Sequence, residues 1–259
     1  MINLVQITDS HLGLNDGDTL LSMNPDDSLL HVLNLVKQQQ PNIDLLLATG
    51  DIVNRHGVHV YQRFVDLVSK HLPVPMAWLP GNHDNVTMMQ AIIKESTNQV
   101  IVNGSWAIIL LDSHVLGEIH GNFSDLVLNY LAEALEQHKD KHILISFHHQ
   151  PVPIGSQWMD RYIIQNAHEF WQAIDSHKNI KGILWGHVHQ EFDEYYKGVQ
   201  LLSTPSTCIQ FTPNNDEFAV EDTMPGYRWL ELYDDGDLKT GVERVTYRDY
   251  GIDFLSNGY

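Results

Sequence analysis

At 259 residues and 43% hydrophobic side chains, the chain can build one large α/β domain, which excludes a disordered segment or a stapled mini-fold. The single cysteine, Cys208, excludes an intrachain disulfide and zinc sites of the thiolate finger type. Fifteen Lys and Arg against 33 Asp and Glu leave a formal charge of −18, a field that opposes a polyanionic backbone and argues against nucleic acid as a partner.

Ile2 to Ile7 alternates apolar and polar residues over much of its length, as a strand at a sheet margin does, and leads into Asp9-Ser10-His11. Pro25-Asp26-Asp27-Ser28 predicts a helix start with Asp or Ser capping; Leu29, Val32, Leu33 and Val36 supply its apolar face, and Pro41-Asn42 stops it. Asp44 to Thr49 is almost continuously apolar, expected of a strand covered on both faces, and delivers Gly50-Asp51. A helix over Val60 to Leu72 and a strand over Pro75 to Leu79 then lead to Gly81-Asn82-His83-Asp84. A short helix follows over Met88 to Ile93, then a core strand over Trp106 to Leu111. Ser124 caps a helix over Leu126 to Gln137, whose Leu128, Leu131, Ala132 and Leu135 keep the spacing of a packed face.

His142 to Phe147 reads as a strand ending at His148; Ala167 to Ile174 is a helix, and Ile180 to Trp185 is a strand ending at Gly186-His187-Val188-His189. From Val199 the pattern shortens to strands at Val199 to Leu202, Thr207 to Phe211, Tyr227 to Tyr233 and Leu238 to Tyr247. A hairpin-type turn at Asp234 to Asp237 joins the last two. Residues 212–225 read as a long loop able to cover a site, and the tail 249–259 is weakly patterned and expected to fray. The expected assembly is a single unit over 1–259, a four-layer α-β-β-α sandwich of two mixed sheets. No apolar run approaches the roughly 18 residues of a membrane span, and the chain opens on a strand rather than a signal peptide. Cytoplasmic location and no membrane partner are therefore expected; the oligomeric state is left open.

Five polar clusters stand where an apolar, strand-like run ends. Such nitrogen and oxygen donors suit two divalent or trivalent ions around 3.5–4 Å apart, close enough to share a water and clamp a phosphate. Sixteen histidines exceed what this needs, since only five fall in the clusters. Both His148 and His149 qualify as donors; His148 is preferred because it directly ends its apolar run.

In order, Asp-x-His, Gly-Asp, Gly-Asn-His-Asp, His and Gly-His-x-His, the chain resembles the calcineurin-like metallophosphoesterases. Gln6 to His11, Trp78 to Asp84, Leu110 to Ser113, Phe147 to Pro151, Gly186 to Glu191 and Thr204 to Cys208 resemble more closely the class III 3′,5′-cyclic AMP phosphodiesterases. Gln150 departs from relatives that often carry histidine or proline there. The resemblance implies a metallophosphoesterase fold and two ions, iron and/or manganese with zinc admissible. It implies Asp9, His11 and His189 on the first ion, Asn82, His148 and His187 on the second, and Asp51 bridging. By the same resemblance, His83 assists phosphoryl transfer and Asp84 holds the His83 ring in one orientation.

The implied reaction is attack by a metal-bridging hydroxide on 3′,5′-cyclic AMP, giving 5′-AMP. The alternative is a broad phosphodiesterase acting on glycerophosphodiesters, or a phosphomonoesterase. A small cyclic nucleotide or other phosphodiester is the expected partner. The loop with Trp158, Met159 and Asp160 is a candidate base pocket, whereas Phe211 reads as a strand-core residue.

Overall fold

The computed structural model describes residues 1–94 and 98–258. In its first part β1 (Ile2–Ile7), α1 (Pro25–Gln39), β2 (Leu45–Thr49), α2 (Val58–His71), β3 (Met76–Leu79) and the short α3 (Val86–Gln90) alternate. Next come β4 (Gln99–Asn103), β5 (Trp106–Leu110), α4 (Asp125–Gln137), β6 (His142–Ser146), α5 (Ala167–Ile174) and β7 (Ile180–Trp185). The chain finishes with β8 (Phe192–Tyr196), β9 (Val199–Ser203), β10 (Gln210–Phe211), β11 (Val220–Glu221), β12 (Gly226–Leu232) and β13 (Leu238–Arg244).

Two large mixed sheets result, in the orders β13-β12-β1-β2-β3 and β4-β5-β6-β7-β9-β8. The continuously apolar strands bury both faces, and strand alternation sorts their side chains between two layers. Leu45 and Leu47 of β2 meet Ile108 and Leu110 of β5 and Leu144 of β6 between the sheets. Their neighbours Leu46 and Ala48 pack outward with Leu29, Val32 and Phe64 of α1 and α2. On the far side, Ala107 and Ile109 pack with Leu131 and Leu135 of α4 and Phe170 of α5. The result is the expected α-β-β-α layering.

Local chemistry sets the helix starts. Asn24, rather than Asp or Ser, caps α1: its side chain accepts from Asp27 N, with Pro25 in the first turn, where a missing N–H costs nothing. Ser124 caps α4 as expected. Asn85 caps α3, which starts two residues before the expected Met88 and ends at Gln90.

Only Gln210–Phe211 of the expected strand over Thr207 to Phe211 enters a ladder, with β11. The preceding backbone bonds elsewhere: Thr207 N donates to Thr8 O, Cys208 N to Ser206 Oγ, and Gln210 Nε2 to the carbonyls of Ser206 and Cys208. Edge strands β4 and β8 are additions to the sequence reading. The exposed Asp193 and Glu194 of β8 follow the charged character that protects sheet edges.

The site is positioned by parallel pairing. β1, β2 and β3 run parallel in one sheet, and β5, β6, β7 and β9 in the other. Gln6 ties the two together below the strand ends: its amide donates to Thr49 Oγ1 at 2.7 Å and to Trp185 O at 3.1 Å, and it accepts from Thr204 Oγ1.

Candidate metal centre

The C-terminal ends of β1, β2, β3, β6 and β7 each release one polar cluster, and the backbone bends sharply there. Among the described residues nine non-glycine positions lie in the left-handed region, and five of them are Asp9, His11, Asp51, His187 and His189. Such conformations cost free energy and persist where surrounding structure over-determines them. Close approach explains the glycines. A Cβ on Gly81 would stand 2.2 Å from Asp51 Oδ1, and one on Gly186 would stand 2.1 Å from Thr8 Oγ1 and 2.8 Å from Asp9 Oδ2.

Donor atoms of Asp9, His11 and His189 lie within 4.8 Å of one another, as do those of Asp9, Asp51 and His148. His11 Nε2 and His189 Nε2 are 3.1 Å apart, and His189 Nε2 is 3.4 Å from Asp9 Oδ1. Two ligands bonded to one ion at about 2.1 Å would be separated by a similar distance. Asp51 Oδ1 accepts from His83 N at 2.8 Å, while Oδ2 lies 3.4 Å from His148 Nε2 and 3.8 Å from His11 Nε2. That second oxygen stands between the two groups of histidines.

Backbone carbonyls set the rings. His148 Nδ1 donates to Thr49 O and His189 Nδ1 to Ile209 O, at 2.8 and 2.9 Å, leaving each Nε2 as the bare lone pair a cation needs. His149 differs. Its Nδ1 is 2.9 Å from Ser113 Oγ and its Nε2 donates to Ile119 O at 3.0 Å, so both nitrogens hold hydrogen bonds, although its donor atoms also lie within 4.8 Å of those of His148 and His187. The two neighbours thus differ in hydrogen bonding, which no sequence spacing expresses.

The electrostatics fit a cation pair. Burial pushes the Asp51 carboxyl up, but His148 and His83 outweigh it and hold it well below the usual carboxylate range. Burial opposes charge on His148 too, yet Asp51 and Asp9 carry it up to about 9, so without a cation its Nε2 holds a proton that a bound ion would displace. Burial, chiefly, holds His11 and His187 well below the usual imidazole range. Among the described residues, Asp9 and Asp51 have only histidines as ion-pair partners. Asn82 Oδ1 and His187 Nε2 are buried without a hydrogen-bond partner, an arrangement that is costly unless something else satisfies them. The donor set therefore fits a dinuclear metal centre.

Asp84 takes a different place from the one expected. Its carboxylate accepts from the N–H groups of Ile52, Val53 and Gly81 and from Tyr61 Oη at 2.9–3.3 Å, rather than steadying the His83 ring. A buried carboxylate gathers backbone donors wherever they converge, and here they converge from the Gly50-Asp51 loop. Asp84 ties two of the metal loops together, while burial and the Asp51 charge push its own carboxyl up to about 7.

A cavity of about 210 Å³ opens beside these donors, lined by Asp51, Asn82, His83 and His187 on one side and Trp158, Met159 and Phe211 on the other. Gln150 Nε2 donates to Met159 O and so holds the Trp158 loop. Asp160 instead caps that loop through Ile154 N and Gly155 N. Phe211 is more than a core residue: it stacks on His189 with ring centroids 4.1 Å apart and planes 7° from parallel. Phe218, from the expected covering loop, meets Trp158 edge-on. Tyr162, from the same loop as Trp158, and Ile119, Asn257 and Gly258 complete the lining; no sequence signal marked the last three.

Residues 2–191 match the model of the calcineurin-like phosphoesterase family. The chain is 41% identical over 258 residues to a Pseudomonas aeruginosa protein named 3′,5′-cyclic adenosine monophosphate phosphodiesterase CpdA, covering 99% of this chain and 94% of that one. Proteins of the same name from Vibrio vulnificus and Escherichia coli K12 are 40% and 36% identical, each over 100% of this chain and 95% of theirs. In fold it is similar to a dimetal phosphatase from Danio rerio, with a TM-score of 0.65 at 16% identity over 95% of this chain and 99% of that one. A purple acid phosphatase from yellow lupin gives a TM-score of 0.70 at 13% identity over 94% of this chain and 51% of that one. With two sheets aiming histidine, aspartate and asparagine donors at one point, and this agreement over most of its length, the chain belongs to the calcineurin-like phosphoesterase family.

Proposed function

We propose that the protein hydrolyses 3′,5′-cyclic AMP to 5′-AMP at a dinuclear centre. Asp9, His11 and His189 hold one ion, Asn82, His148 and His187 the other, and Asp51 is shared. The observation that carries the reading is a full donor set beside a cavity, in a chain matching relatives named for that reaction end to end. Borderline nitrogen and oxygen donors favour iron and/or manganese and also admit zinc. Among the described residues no helix is long and apolar enough to cross a membrane. We take the protein as one unit over 1–259, in the cytoplasm, with a small phosphodiester as its partner. The charge of −18 supports leaving nucleic acid out.

When bound, the two cations supply Lewis-acid stabilisation of phosphoryl charge and acidify water. The chain does the rest. Carbonyl anchors at Thr49 and Ile209 keep His148 and His189 in their ligating tautomers. Gly81 and Gly186 let the loops close on Asp51 and Asp9 without a side chain between them. His83, whose backbone N–H is fixed on Asp51, lines the cavity and gives a proton to the departing 3′ oxygen as the P–O3′ bond breaks; water adds its hydroxyl to phosphorus and releases its other proton to solvent, from which His83 is reprotonated. Trp158 and Phe211 offer apolar faces for the base.

The test is a comparison of kcat/KM with Mn²⁺ for cyclic AMP, cyclic GMP, a glycerophosphodiester and a phosphomonoester. Cyclic AMP is expected to be preferred. A value about a hundredfold below that of the glycerophosphodiester, a gap of nearly 3 kcal/mol, would overturn the substrate while leaving the metal chemistry intact.

A further inference from the structure

The tail expected to fray instead reaches the cavity. Tyr250 and Ile252 pack on the core, Tyr250 Oη lies 3.2 Å from His31 Nδ1 of α1, and Asp253 N donates to Leu21 O at 2.9 Å. Four and five residues further on, Asn257 and Gly258 line the same cavity as Asp51, Asn82 and His83. We propose that Phe254 to Gly258 form a movable wall of the substrate cavity, one that closes over a compact cyclic diester and shuts out longer open-chain diesters. The inference rests on the phosphodiesterase reading and assigns to this segment the selection of substrate by size.

Two observations carry it. The first is where the segment lies. A cavity of about 210 Å³ is small beside the roughly 300–1,000 Å³ of sites for drug-sized ligands, so the position of any wall decides what enters. The Trp158 and Phe211 wall is fixed, because Gln150 holds its loop and Phe211 is seated on His189. The tail is the wall that is not fixed.

The second is how the segment is held. Among the described residues its hydrogen bonds are internal or reach only its anchor: Leu255 N donates to Asp253 Oδ1 at 3.0 Å and Ser256 Oγ to Gly258 O at 2.7 Å. Among the described residues none ties Phe254 to Gly258 onto the body of the protein. Leu255 is 90% and Phe254 44% exposed, so little apolar burial resists lifting. Segments with few buried contacts and no external hydrogen bonds open at low free energy, while the Asp253 anchor limits how far this one can swing. Asn257 also brings an amide, with donors and an acceptor, to a cavity whose other walls are mostly rings, apolar side chains and metal-ligand candidates. A nucleobase edge can satisfy that amide; a simple aryl or glyceryl ester cannot do so as well.

The test compares the full chain with a chain lacking residues 254–259, both loaded with Mn²⁺, on cyclic AMP and on bis(p-nitrophenyl) phosphate. Metal content is measured alongside, and hydrogen exchange at 254–258 is followed in the full chain with and without 5′-AMP. Truncation is expected to lower kcat/KM for cyclic AMP tenfold or more, chiefly through KM, with metal content unchanged. The value for bis(p-nitrophenyl) phosphate should hold or rise, and 5′-AMP should slow exchange at 254–258. A cyclic-to-open-chain ratio unchanged within about twofold, or exchange indifferent to 5′-AMP, overturns the proposal. Failure of the full chain on both diesters would count against the phosphodiesterase reading itself, and the exchange measurement would still decide the wall.

Discussion

Replacing Asp84 by asparagine separates a loop-tying carboxylate from one that serves the His83 ring. In the native arrangement one oxygen takes Ile52 N and Gly81 N at 3.2 and 2.9 Å, and the other takes Val53 N and Tyr61 Oη at 3.3 and 3.2 Å. An amide keeps the shape but has one acceptor oxygen, so at least one backbone N–H, that of Val53 in the better orientation, faces an NH₂ group. A buried donor left unsatisfied costs about 1–3 kcal/mol, and the remaining bonds lose their charge assistance. Asp84→Asn should therefore destabilise the protein by about 2–4 kcal/mol, lowering Tm by roughly 4–16 °C at about 2–4 °C per kcal/mol for a chain of this size. Because the bonds join the Asp51 and Asn82 loops, metal affinity should fall with stability. Thermal unfolding and metal stoichiometry on the purified variant read both. An unchanged Tm and metal content with a reduced kcat would refute the loop-tying role and restore the orienting one.

Other expectations follow from separate parts of the molecule. His83→Ala should retain its metal while kcat falls by roughly 10²–10⁴, as loss of acid assistance predicts; loss of metal would make His83 a ligand or a support. Leu144→Ala, at the centre of the layer between the sheets, should cost about 2–5 kcal/mol in denaturant unfolding with kcat unchanged below the transition, and a loss under 1 kcal/mol would mean the layer is poorly packed. Cys208 is fully buried with its thiol pushed up to about 12, so native protein at pH 8 should resist a thiol reagent and release one equivalent on unfolding. Reaction of the native thiol should quicken as pH rises toward that value, since only the thiolate attacks; fast labelling at pH 8 would contradict the burial.

The donors were legible because each follows an apolar run short enough to be a strand and buried enough to need a partner layer. Asp9, Asp51, Asn82, His148, His187 and His189 all sit within a few residues of such a run. The walls of the cavity were legible only in part: the Trp158 loop and the 212–225 loop that carries Phe218 were marked, but Ile119, Phe211 and Asn257 were not. These residues come from segments far apart in the chain, and their meeting depends on loop paths that carry no periodicity. Phe211 read as core because alternation places an aromatic residue on a buried face without saying that the face belongs to a metal-binding imidazole. Asp84 was misassigned for a related reason. Its neighbour in sequence is a histidine, but the donors it satisfies include backbone groups of Ile52 and Val53, more than thirty residues away. The choice between His148 and His149 turns on Ser113 and Ile119, which present a hydroxyl and a carbonyl to one ring and not the other.

The central claim is that two ions share Asp51, and anomalous scattering from crystals of metal-replete protein tests it most directly. Two peaks are expected around 3.5–4 Å apart, one beside Asp9, His11 and His189 and the other beside Asn82, His148 and His187, with Asp51 between them. A single peak in fully loaded protein, or a pair that does not share Asp51, would contradict it.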